Sequence, residues 1–239
     1  MTATAKPYAV KNRLLAALPH EEYDRLQPHL ELVHLSTRKT LSEAGDLIEH
    51  TYFLNSGMGS LLALTQDGAT IEIAMVGNEG MLGIPVVLGA HKTSYRIMVQ
   101  IPGDAMRIKA DVIWAEFKRA GELQDLLLRY THALITQISQ SAVCNRFHTV
   151  EKRLCRWLLT AHDRVDGNTF HLTQEIISYM MGTPRTGVTM AASTLQDEGL
   201  IRYKRGKITI IDRSGLEEAA CECYRIVAET LEHFLTARN

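Results

Sequence analysis

A segment between Thr183 and Gly199 combines residue types that could read DNA. Its apolar residues recur at three- and four-residue intervals and predict one buried side of a helix: Val188, Ala191, Ala192 and Leu195. The opposite side is mostly small and polar and begins with an arginine: Arg185, Thr186, Thr189, Met190 and Ser193. An arginine at the N-terminal end of a helix in the major groove can donate two hydrogen bonds to one guanine. An ordinary helical hairpin with a solvated face is the alternative interpretation.

The residues before this helix predict a helix-turn-helix. Thr173 suits a helix N-cap, Glu175 lies in the first turn, and Gly182 suits the left-handed residue that follows a helix. Thr183 then offers a second N-cap, and Pro184 a pre-set first helical residue. Two helices joined this tightly form a helix-turn-helix. We include Thr173 among the expected DNA contacts.

Two short apolar runs, Ile201–Tyr203 and Ile208–Ile211, follow directly and predict a β-hairpin, or wing. The turn between them carries three positive charges: Lys204, Arg205 and Lys207. Such a tip can neutralise backbone phosphates, which adds affinity without sequence information. A charge run is usually only a solvated turn, but its place directly after a helix-turn-helix favours double-stranded DNA as a partner.

Charge is distributed unevenly along the chain. The formal net charge of the 239 residues is −1, so the whole chain gives no sign of affinity for nucleic acid. Between Arg146 and Arg213, however, basic residues outnumber acidic ones by four. The segment after Ser214 is instead acidic and carries Glu217, Glu218, Glu222, Glu229 and Glu232. The basic excess therefore coincides with the predicted helix-turn-helix and wing.

The four cysteines, Cys144, Cys155, Cys221 and Cys223, are too few and too scattered for a disulfide framework. They also lack the paired two-residue spacing of a structural zinc site, so we expect no metal and a reducing compartment. The N-terminus shows no signal-peptide pattern, and no apolar run approaches the ~20 residues that span a bilayer. We expect a cytoplasmic protein without membrane contact.

The region from about Leu30 to Met106 predicts strands and turns. Short apolar or alternating runs are separated by glycines, often beside an acidic residue or Asn. The clearest runs are Tyr52–Leu54, Ser60–Leu64 and Thr70–Val76, and the last alternates as a half-buried strand does. An all-β barrel or sandwich is expected here.

After Lys109 the apolar period becomes helical. Apolar residues recur without an intervening Pro or Gly at Leu123, Leu127, Tyr130, Leu134, Ile138 and Ala142. The stripe has two interpretations, either packing on the chain's own barrel or pairing with the same helix of a second chain. In the second case four residues form the dimer interface: Leu127, Tyr130, Leu134 and Ile138.

A further helix is predicted from His148 to about Arg164, ending near the turn signal at residues 166–168. A boundary between two domains is expected around Asn145, just before this helix. We therefore predict a regulatory domain over residues 1–145, which includes the long helix, and a DNA-binding domain over residues 146–239.

In this order the features resemble those of the Crp/Fnr family of bacterial transcription regulators. The similar landmarks are Tyr52–Gly57, Gly68 before a strand, Gly77–Gly83, the long helix and Thr173–Ile201. The resemblance implies an α+β fold with an N-terminal β-roll (jelly-roll-like) sensor domain, a long dimerisation helix and a C-terminal winged helix-turn-helix. It also implies a homodimer that contacts palindromic DNA and RNA polymerase.

The predicted recognition helix departs from the family pattern. Family members often begin this helix with Arg-Glu and place a second Arg four residues after the Glu. Arg185 matches the first Arg, whereas Thr186 replaces the Glu and Met190 replaces the second Arg. The operator is therefore expected to differ from that of cAMP-binding members.

The segment that resembles the cyclic-nucleotide pocket also departs from the family pattern. Cyclic-nucleotide-binding members use the Glu of Gly-Glu-Leu for the ribose and a later Arg for the phosphate. Here Met81 cannot accept the ribose hydrogen bond, and Lys92 lacks bidentate geometry. We do not expect cAMP as the effector, and we keep the aligned residues as a candidate effector pocket: Glu79, Gly80, Met81, Leu82, Gly83, Lys92 and Thr93.

Other known effectors of the family find little support in the sequence. Family members that sense through an iron–sulfur cluster carry several N-terminal cysteines plus a central one. No cysteine precedes Cys144 in this chain, so a cluster is not expected. His34, His50 and His91 lie in or near the sensor region, where a haem-binding member would need an axial ligand. Lone histidines are more often structural, so the effector stays open and no cofactor is identified.

Two other classes of function are the alternatives. A cupin-like enzyme would use histidines with Glu72 or Glu79 as metal ligands, but the sequence has no His-x-His pair or His–Glu cluster. A ligand-sensing module without DNA binding would need neither a recognition face nor a basic wing. We therefore expect a transcription regulator and not an enzyme.

Overall fold

The computed structural model describes residues 10–236, which begin with two short helices, α1 (Arg13–Ala16) and α2 (His20–Leu26). Eight strands follow and form two four-stranded antiparallel sheets. The strands are β1 (Glu31–Leu35), β2 (Thr40–Ser42), β3 (His50–Leu54), β4 (Met58–Leu64), β5 (Thr70–Val76), β6 (Met81–Leu82), β7 (Arg96–Ile101) and β8 (Gly103–Lys109).

The two sheets form the expected β-roll. One sheet has the order β1-β8-β3-β6, and the other has the order β2-β7-β4-β5. Many neighbouring strands are far apart in sequence, as in a jelly roll, so the core forms only when both ends of the region come together. The three runs predicted as strands lie in β3, β4 and β5, and their inward residues, such as Phe53, Leu61 and Val76, are buried.

Two helices, α3 (Ala110–Phe117) and α4 (Glu122–Phe147), follow the β-roll, and α4 packs one side against it. Leu127, Tyr130 and Leu134 are buried on that side, and Ile138 is partly buried there. The Tyr130 hydroxyl donates to the carbonyl oxygen of Met81 at 3.2 Å. These four residues, expected at a dimer interface, therefore face the chain's own β-roll, because that sheet surface supplies the apolar partner they need.

The chain turns at His148, shortly after the domain boundary predicted at Asn145, and α5 (Val150–His162) begins after the N-cap Thr149. The remaining elements are β9 (Thr169–His171), α6 (Gln174–Met181), α7 (Arg185–Asp197), β10 (Ile201–Lys204), β11 (Lys207–Ile210), α8 (Arg213–Ala219) and α9 (Glu222–Thr236). The unpredicted strand β9 pairs with β11 and completes a three-stranded sheet. The last helix, α9, packs along α4. Within residues 10–236, no helix is both long and apolar enough to cross a membrane.

Two buried glutamates of the β-roll contact α5 and the residues just after it. One carboxylate oxygen of Glu72 accepts from the indole N–H of Trp157 at 2.8 Å, and the other accepts from the Ser60 hydroxyl at 2.5 Å. The Glu79 carboxylate lies 2.8 Å from a guanidinium nitrogen of Arg164, and both side chains are at least nine-tenths buried, with 7% and 4% exposure. The two halves of the chain therefore meet in a buried polar junction.

The Glu72 carboxyl group makes this junction dependent on pH. Burial raises the pKa of Glu72 from 4.5 to about 7, although the hydrogen bonds from Ser60 and Trp157 act in the opposite direction. The folded protein therefore holds this proton more tightly than the unfolded chain does. The tighter binding of this proton stabilises the folded state fully below about pH 4.5, and this contribution is lost as the pH rises through about 7.

The substitution Glu72→Gln should remove this part of the pH dependence while keeping an acceptor for Trp157. Relative to the variant, the free energy of unfolding of the wild type should fall by up to about 3 kcal/mol between about pH 4.5 and 8. Denaturant titrations across this range measure the difference, and Glu218→Gln at an exposed position is the control. Parallel pH profiles for wild type and Glu72→Gln would contradict the assignment.

Candidate nucleic-acid interface

α6 and α7 form the predicted helix-turn-helix. The Thr173 hydroxyl oxygen accepts a hydrogen bond from the backbone N–H of Ile176 at 3.2 Å, so Thr173 caps α6 as expected. Gly182 ends α6 in the left-handed region, with φ of 55°. A Cβ atom at Gly182 would lie 3.1 Å from the side chain of Ile71, so the absence of a side chain also permits close contact with β5.

The start of α7 differs from the prediction. The buried Thr183 hydroxyl donates to the carbonyl oxygen of Met181 at 3.2 Å, so it satisfies the end of α6 and does not cap α7. Pro184 has an extended backbone with ψ of 141° and occupies the N-cap position itself. The helix therefore begins at Arg185, one residue later than expected, because Thr183 is used by the preceding turn.

α7 separates its residues into the two predicted faces. The four apolar residues are buried against the core that contains Trp157 and Leu158: Val188, Ala191, Ala192 and Leu195. The five residues of the opposite face are exposed: Arg185, Thr186, Thr189, Met190 and Ser193. Met190 is the apolar member of this face and is 70% exposed. The chain therefore holds an apolar side chain in solvent on a face that is otherwise polar.

Gln174 lies next to the exposed face of α7, although the predicted DNA contacts do not include it. Its amide oxygen accepts a hydrogen bond from the Thr189 hydroxyl at 2.9 Å, and that hydroxyl also lies 2.9 Å from the carbonyl oxygen of Arg185. Gln174 is the first residue of α6, and only the packing of α6 on α7 brings it to Thr189. The helical spacing within α7 therefore contained no signal for it.

The wing is a tight hairpin fixed to the helix-turn-helix. Lys204 pairs with Lys207, and the two turn residues, Arg205 and Gly206, both have positive φ, at 52° and 74°. Positive φ at both central residues is typical of a type I′ turn. The backbone twist of this turn matches the twist of the two strands that it joins. The amide oxygen of Gln196, on α7, accepts from the Tyr203 backbone N–H at 2.8 Å. The orientation of the wing is therefore tied to that of α7.

The same hairpin also contacts the start of α6. The Tyr203 hydroxyl donates to the carbonyl oxygen of Leu172 at 3.0 Å, and the Leu172 N–H donates to the carbonyl oxygen of Gly206 at 2.8 Å. These bonds place the wing turn beside Thr173, which is itself exposed. Thr173, the recognition face and the wing tip therefore belong to one continuous surface.

The cations of this surface are available to an anionic partner. Arg185, Lys204, Arg205 and Lys207 are exposed, and none of them forms an ion pair with a carboxylate of residues 10–236. Other arginines of the DNA-binding half differ in this respect, since Arg164 pairs with Glu79 and Arg213 pairs with Asp163. Unpaired cations can release the counterions of DNA phosphates without first losing an internal partner.

The residues of the candidate effector pocket do not converge on one open site. Met81 and Leu82 are buried in the β-roll core, and Lys92 is exposed. The Thr93 hydroxyl donates to the carbonyl oxygen of Tyr95 at 2.8 Å. Gly80 packs so closely against the Tyr130 ring and hydroxyl that a Cβ atom would collide with them. Gly83 takes the left-handed conformation that starts a short 3₁₀ turn, with φ of 97°.

Side chains that could hold a metal ion come together at one place, although the sequence predicts no metal site. Nδ1 of His34 lies 3.0 Å from a carboxylate oxygen of Asp104 at the surface, whereas His50 and His91 line a separate cavity of about 450 Å³. Among residues 10–236, one group of His, Cys, Asp or Glu side chains is close enough to hold a metal ion: Cys144, His148, Cys221 and Cys223. The expectation that the cysteines are scattered is therefore wrong for three of the four, because α9 returns to the end of α4.

Two family models match separate parts of the chain. A model described as "Cyclic nucleotide-binding domain" matches residues 32–120, and one described as "Crp-like helix-turn-helix domain" matches residues 152–219. A curated relative, the "Global nitrogen regulator" of Nostoc sp. (strain PCC 7120), is 24% identical over 181 residues. That match covers 72% of this chain and 81% of the relative.

Solved structures of similar fold cover most of the chain. FixK2 from Bradyrhizobium japonicum has a TM-score of 0.69 at 14% identity, covering 80% of this chain and 98% of its own. The c-di-GMP responsive global regulator CLP from Xanthomonas campestris has a TM-score of 0.64 at 15% identity, covering 80% and 99%. These likenesses support the β-roll, long helix and helix-turn-helix as one fold.

Proposed function

We propose that this chain, which belongs to the Crp/Fnr family of transcription regulators, is a homodimer that binds an inverted-repeat DNA site. Its family consists of regulators and not of enzymes. The observation that carries the proposal is the surface on which the exposed face of α7 adjoins a wing tip with unpaired cations. We include contact with RNA polymerase in the proposal only because members of the family make it.

The residues of this surface divide into two roles. Arg185, at the first position of α7, would donate to guanine in the major groove, and the exposed Met190 suits contact with a thymine methyl group. The wing cations, with Thr173 and Gln174 at the N-terminus of α6, suit backbone phosphates, which fix the register of the protein on the duplex. With Thr186 and Met190 in place of charged residues, the preferred operator differs from that of cAMP-binding members.

The dimer contact proposed here lies on the outer side of α4. Exposed residues recur there with alternating three- and four-residue spacing: Leu128, His132, Ile135, Ser139, Ala142 and Arg146. Leu128 and Ile135 are 46% and 56% exposed, although both are large and apolar. This repeat is that of a left-handed two-stranded coiled coil, and the opposite stripe is already used by the β-roll. Two-fold symmetry would then place the half-sites about 34 Å apart.

We propose that cAMP is not the effector of this chain. The position that would hold the ribose is Met81, whose side chain is buried in the core. The nearby Glu79 carboxylate cannot replace it without leaving Arg164, since the two side chains form a buried ion pair. Calorimetric titration should therefore show cAMP affinity no tighter than about 1 mM. Micromolar binding would require Glu79 or Glu72 to move and would refute the proposal.

Single substitutions should remove base recognition and phosphate contact separately. Arg185→Ala should weaken binding to the correct operator by about 1–3 kcal/mol per half-site and relax the preference at one base pair, with little effect on scrambled DNA. Lys204→Ala should weaken binding to both DNAs and flatten the log–log salt dependence of the dimer by about two units. Salt titrations on both DNAs measure these effects.

The control for both variants is Lys118→Ala, which removes an exposed cation at the end of α3, a helix that packs on the β-roll and α4. It should leave operator affinity and the salt dependence unchanged. If Arg185→Ala keeps the affinity and base preference of the wild type, α7 is not the recognition helix.

The stripe on α4 can be tested through the oligomeric state. Ile135→Glu should give folded monomers, because it places a charge in the coiled-coil contact while leaving the monomer core intact. Leu88→Glu is the matched control, since Leu88 is also 56% exposed but lies on the β-roll. Light scattering at micromolar concentration measures the mass. A dimeric Ile135→Glu variant would place the interface elsewhere.

A further inference from the structure

Three thiols and one imidazole meet where α9 begins beside the end of α4. The sulfur atoms of Cys144, Cys221 and Cys223 and a ring nitrogen of His148 all lie within 4.8 Å of one another. The Cys144 and Cys221 sulfur atoms are 3.5 Å apart, and the Cys223 sulfur lies 3.7 Å from Nδ1 of His148. The three cysteines are buried, and His148 is partly buried.

The spacings of 3.5 and 3.7 Å match those of neighbouring ligands around a single tetrahedral ion, and no two of the four atoms are more than 4.8 Å apart. With Zn–S bonds of about 2.3 Å and Zn–N bonds of about 2.0–2.1 Å, neighbouring ligand atoms are about 3.5–3.8 Å apart. An iron–sulfur cluster contains several metal and sulfide atoms, so its cysteine sulfurs stand farther apart than they do here. The site fits one ion and has no room for a cluster.

The backbone brings the ligands together from two segments. Cys144 lies in the last turn of α4, and His148 is the C-cap residue, whose backbone N–H donates to the Cys144 carbonyl oxygen at 3.2 Å. Cys221 and Cys223 lie at the junction of α8 and α9 and alternate with Glu222. This arrangement lacks the two-residue spacing of common zinc motifs, so sequence spacing alone contains no clear signal for it.

The surroundings are those of a metal site. The Nε–H of the buried Arg156 donates to the Cys144 sulfur at 3.2 Å, and no carboxylate of residues 10–236 forms an ion pair with that guanidinium. Three thiolates, a neutral imidazole and Zn²⁺ carry a net charge of −1, which one arginine balances. Nε2 of His148 lies 3.4 Å from a Glu222 carboxylate oxygen. A carboxylate on the second ring nitrogen fixes the orientation of a metal-binding histidine.

We propose that Cys144, His148, Cys221 and Cys223 bind one Zn²⁺ ion, which fastens the start of α9 to the end of α4. Binding displaces the thiol protons and uses Nδ1 of the histidine, with Nε2–H directed at Glu222. The ion would hold the C-terminal helix where Phe234 packs against Tyr130, with ring centroids 5.7 Å apart. A soft, redox-inactive metal suits three thiolates, and hard ions such as Mg²⁺ or Ca²⁺ do not.

Metal analysis of the full chain, purified with a reductant and without chelators, should find about one zinc ion per chain. Cys223→Ser and His148→Ala should each lower the zinc content or affinity by at least about tenfold. Cys155→Ser is the matched control, because Cys155 is also a buried thiol but lies outside the cluster in α5. It should keep the zinc of the wild type.

Unmutated protein gives a second test, which does not depend on the folding of the variants. Co²⁺ added to metal-free wild type should produce the intense d–d absorption of tetrahedral cobalt and a sulfur-to-cobalt charge-transfer band, both removed by Zn²⁺. Removing zinc should lower the melting temperature by at least about 5 °C. A weak octahedral cobalt spectrum overturns the proposal.

Three further outcomes would also overturn the metal site. One is wild-type protein that stays without zinc after incubation with Zn²⁺ and a reductant. Another is equal zinc in Cys223→Ser and the wild type. The third is a Cys144–Cys221 disulfide, found by mass spectrometry after alkylation of protein kept under reducing conditions, because it would make the cluster a redox pair.

Discussion

The placement of the DNA-binding half depends on the buried ion pair between Glu79 and Arg164. The carboxylate also accepts from the backbone N–H of Gly77 at 3.1 Å, so the loop before β6 shapes its position. A buried charge is tolerated only with a partner, and removing either member would leave the other unpaired in a medium of low dielectric constant. Arg164, which follows the C-cap residue of α5, thus has one favourable place on the β-roll. Since α7 packs on the same core as α5, the orientation of the recognition face follows from that place.

α4 shows why a periodic stripe does not by itself identify its partner. Over a helix of this length, a 3.6-residue and a 3.5-residue repeat differ little, and α4 carries apolar residues on both of its sides. Buried polar side chains distinguish the side of α4 that packs on the β-roll from the opposite side. The Gln137 amide oxygen accepts from the backbone N–H of Met75 at 3.1 Å, and the Tyr130 hydroxyl bonds to the backbone at Met81. Such bonds to the β-roll mark the inner stripe, which leaves the stripe of Leu128 and Ile135 exposed, as the proposed dimer contact requires.

The sequence was informative wherever local rules decide the structure. The Thr173 cap, the glycine at 182 and the charged hairpin depend on residues within one or two turns, and they were predicted together with the β-roll strands and the fold class. Thr183 was misassigned because two helix ends compete for one hydroxyl. The features that were missed depend on contacts between distant segments: strand β9, the approach of Gln174 to Thr189, and the thiol cluster formed when α9 returns to α4.

The same distant contacts limit how a signal can reach α7 and the wing. Arg156 and Trp157 are neighbours on α5, and they reach different parts of the chain: Arg156 contacts the Cys144 thiol at the end of α4, and Trp157 contacts Glu72 in β5. The charge of Arg156 also lowers the pKa of the buried Glu72 carboxyl, although burial outweighs it. A ligand of the β-roll can shift α7 only if it favours one of two arrangements of such contacts over the other. Such a shift can pass through α5, which joins the β-roll, the end of α4 and the core beneath α7, or through the direct contact of α6 with β5.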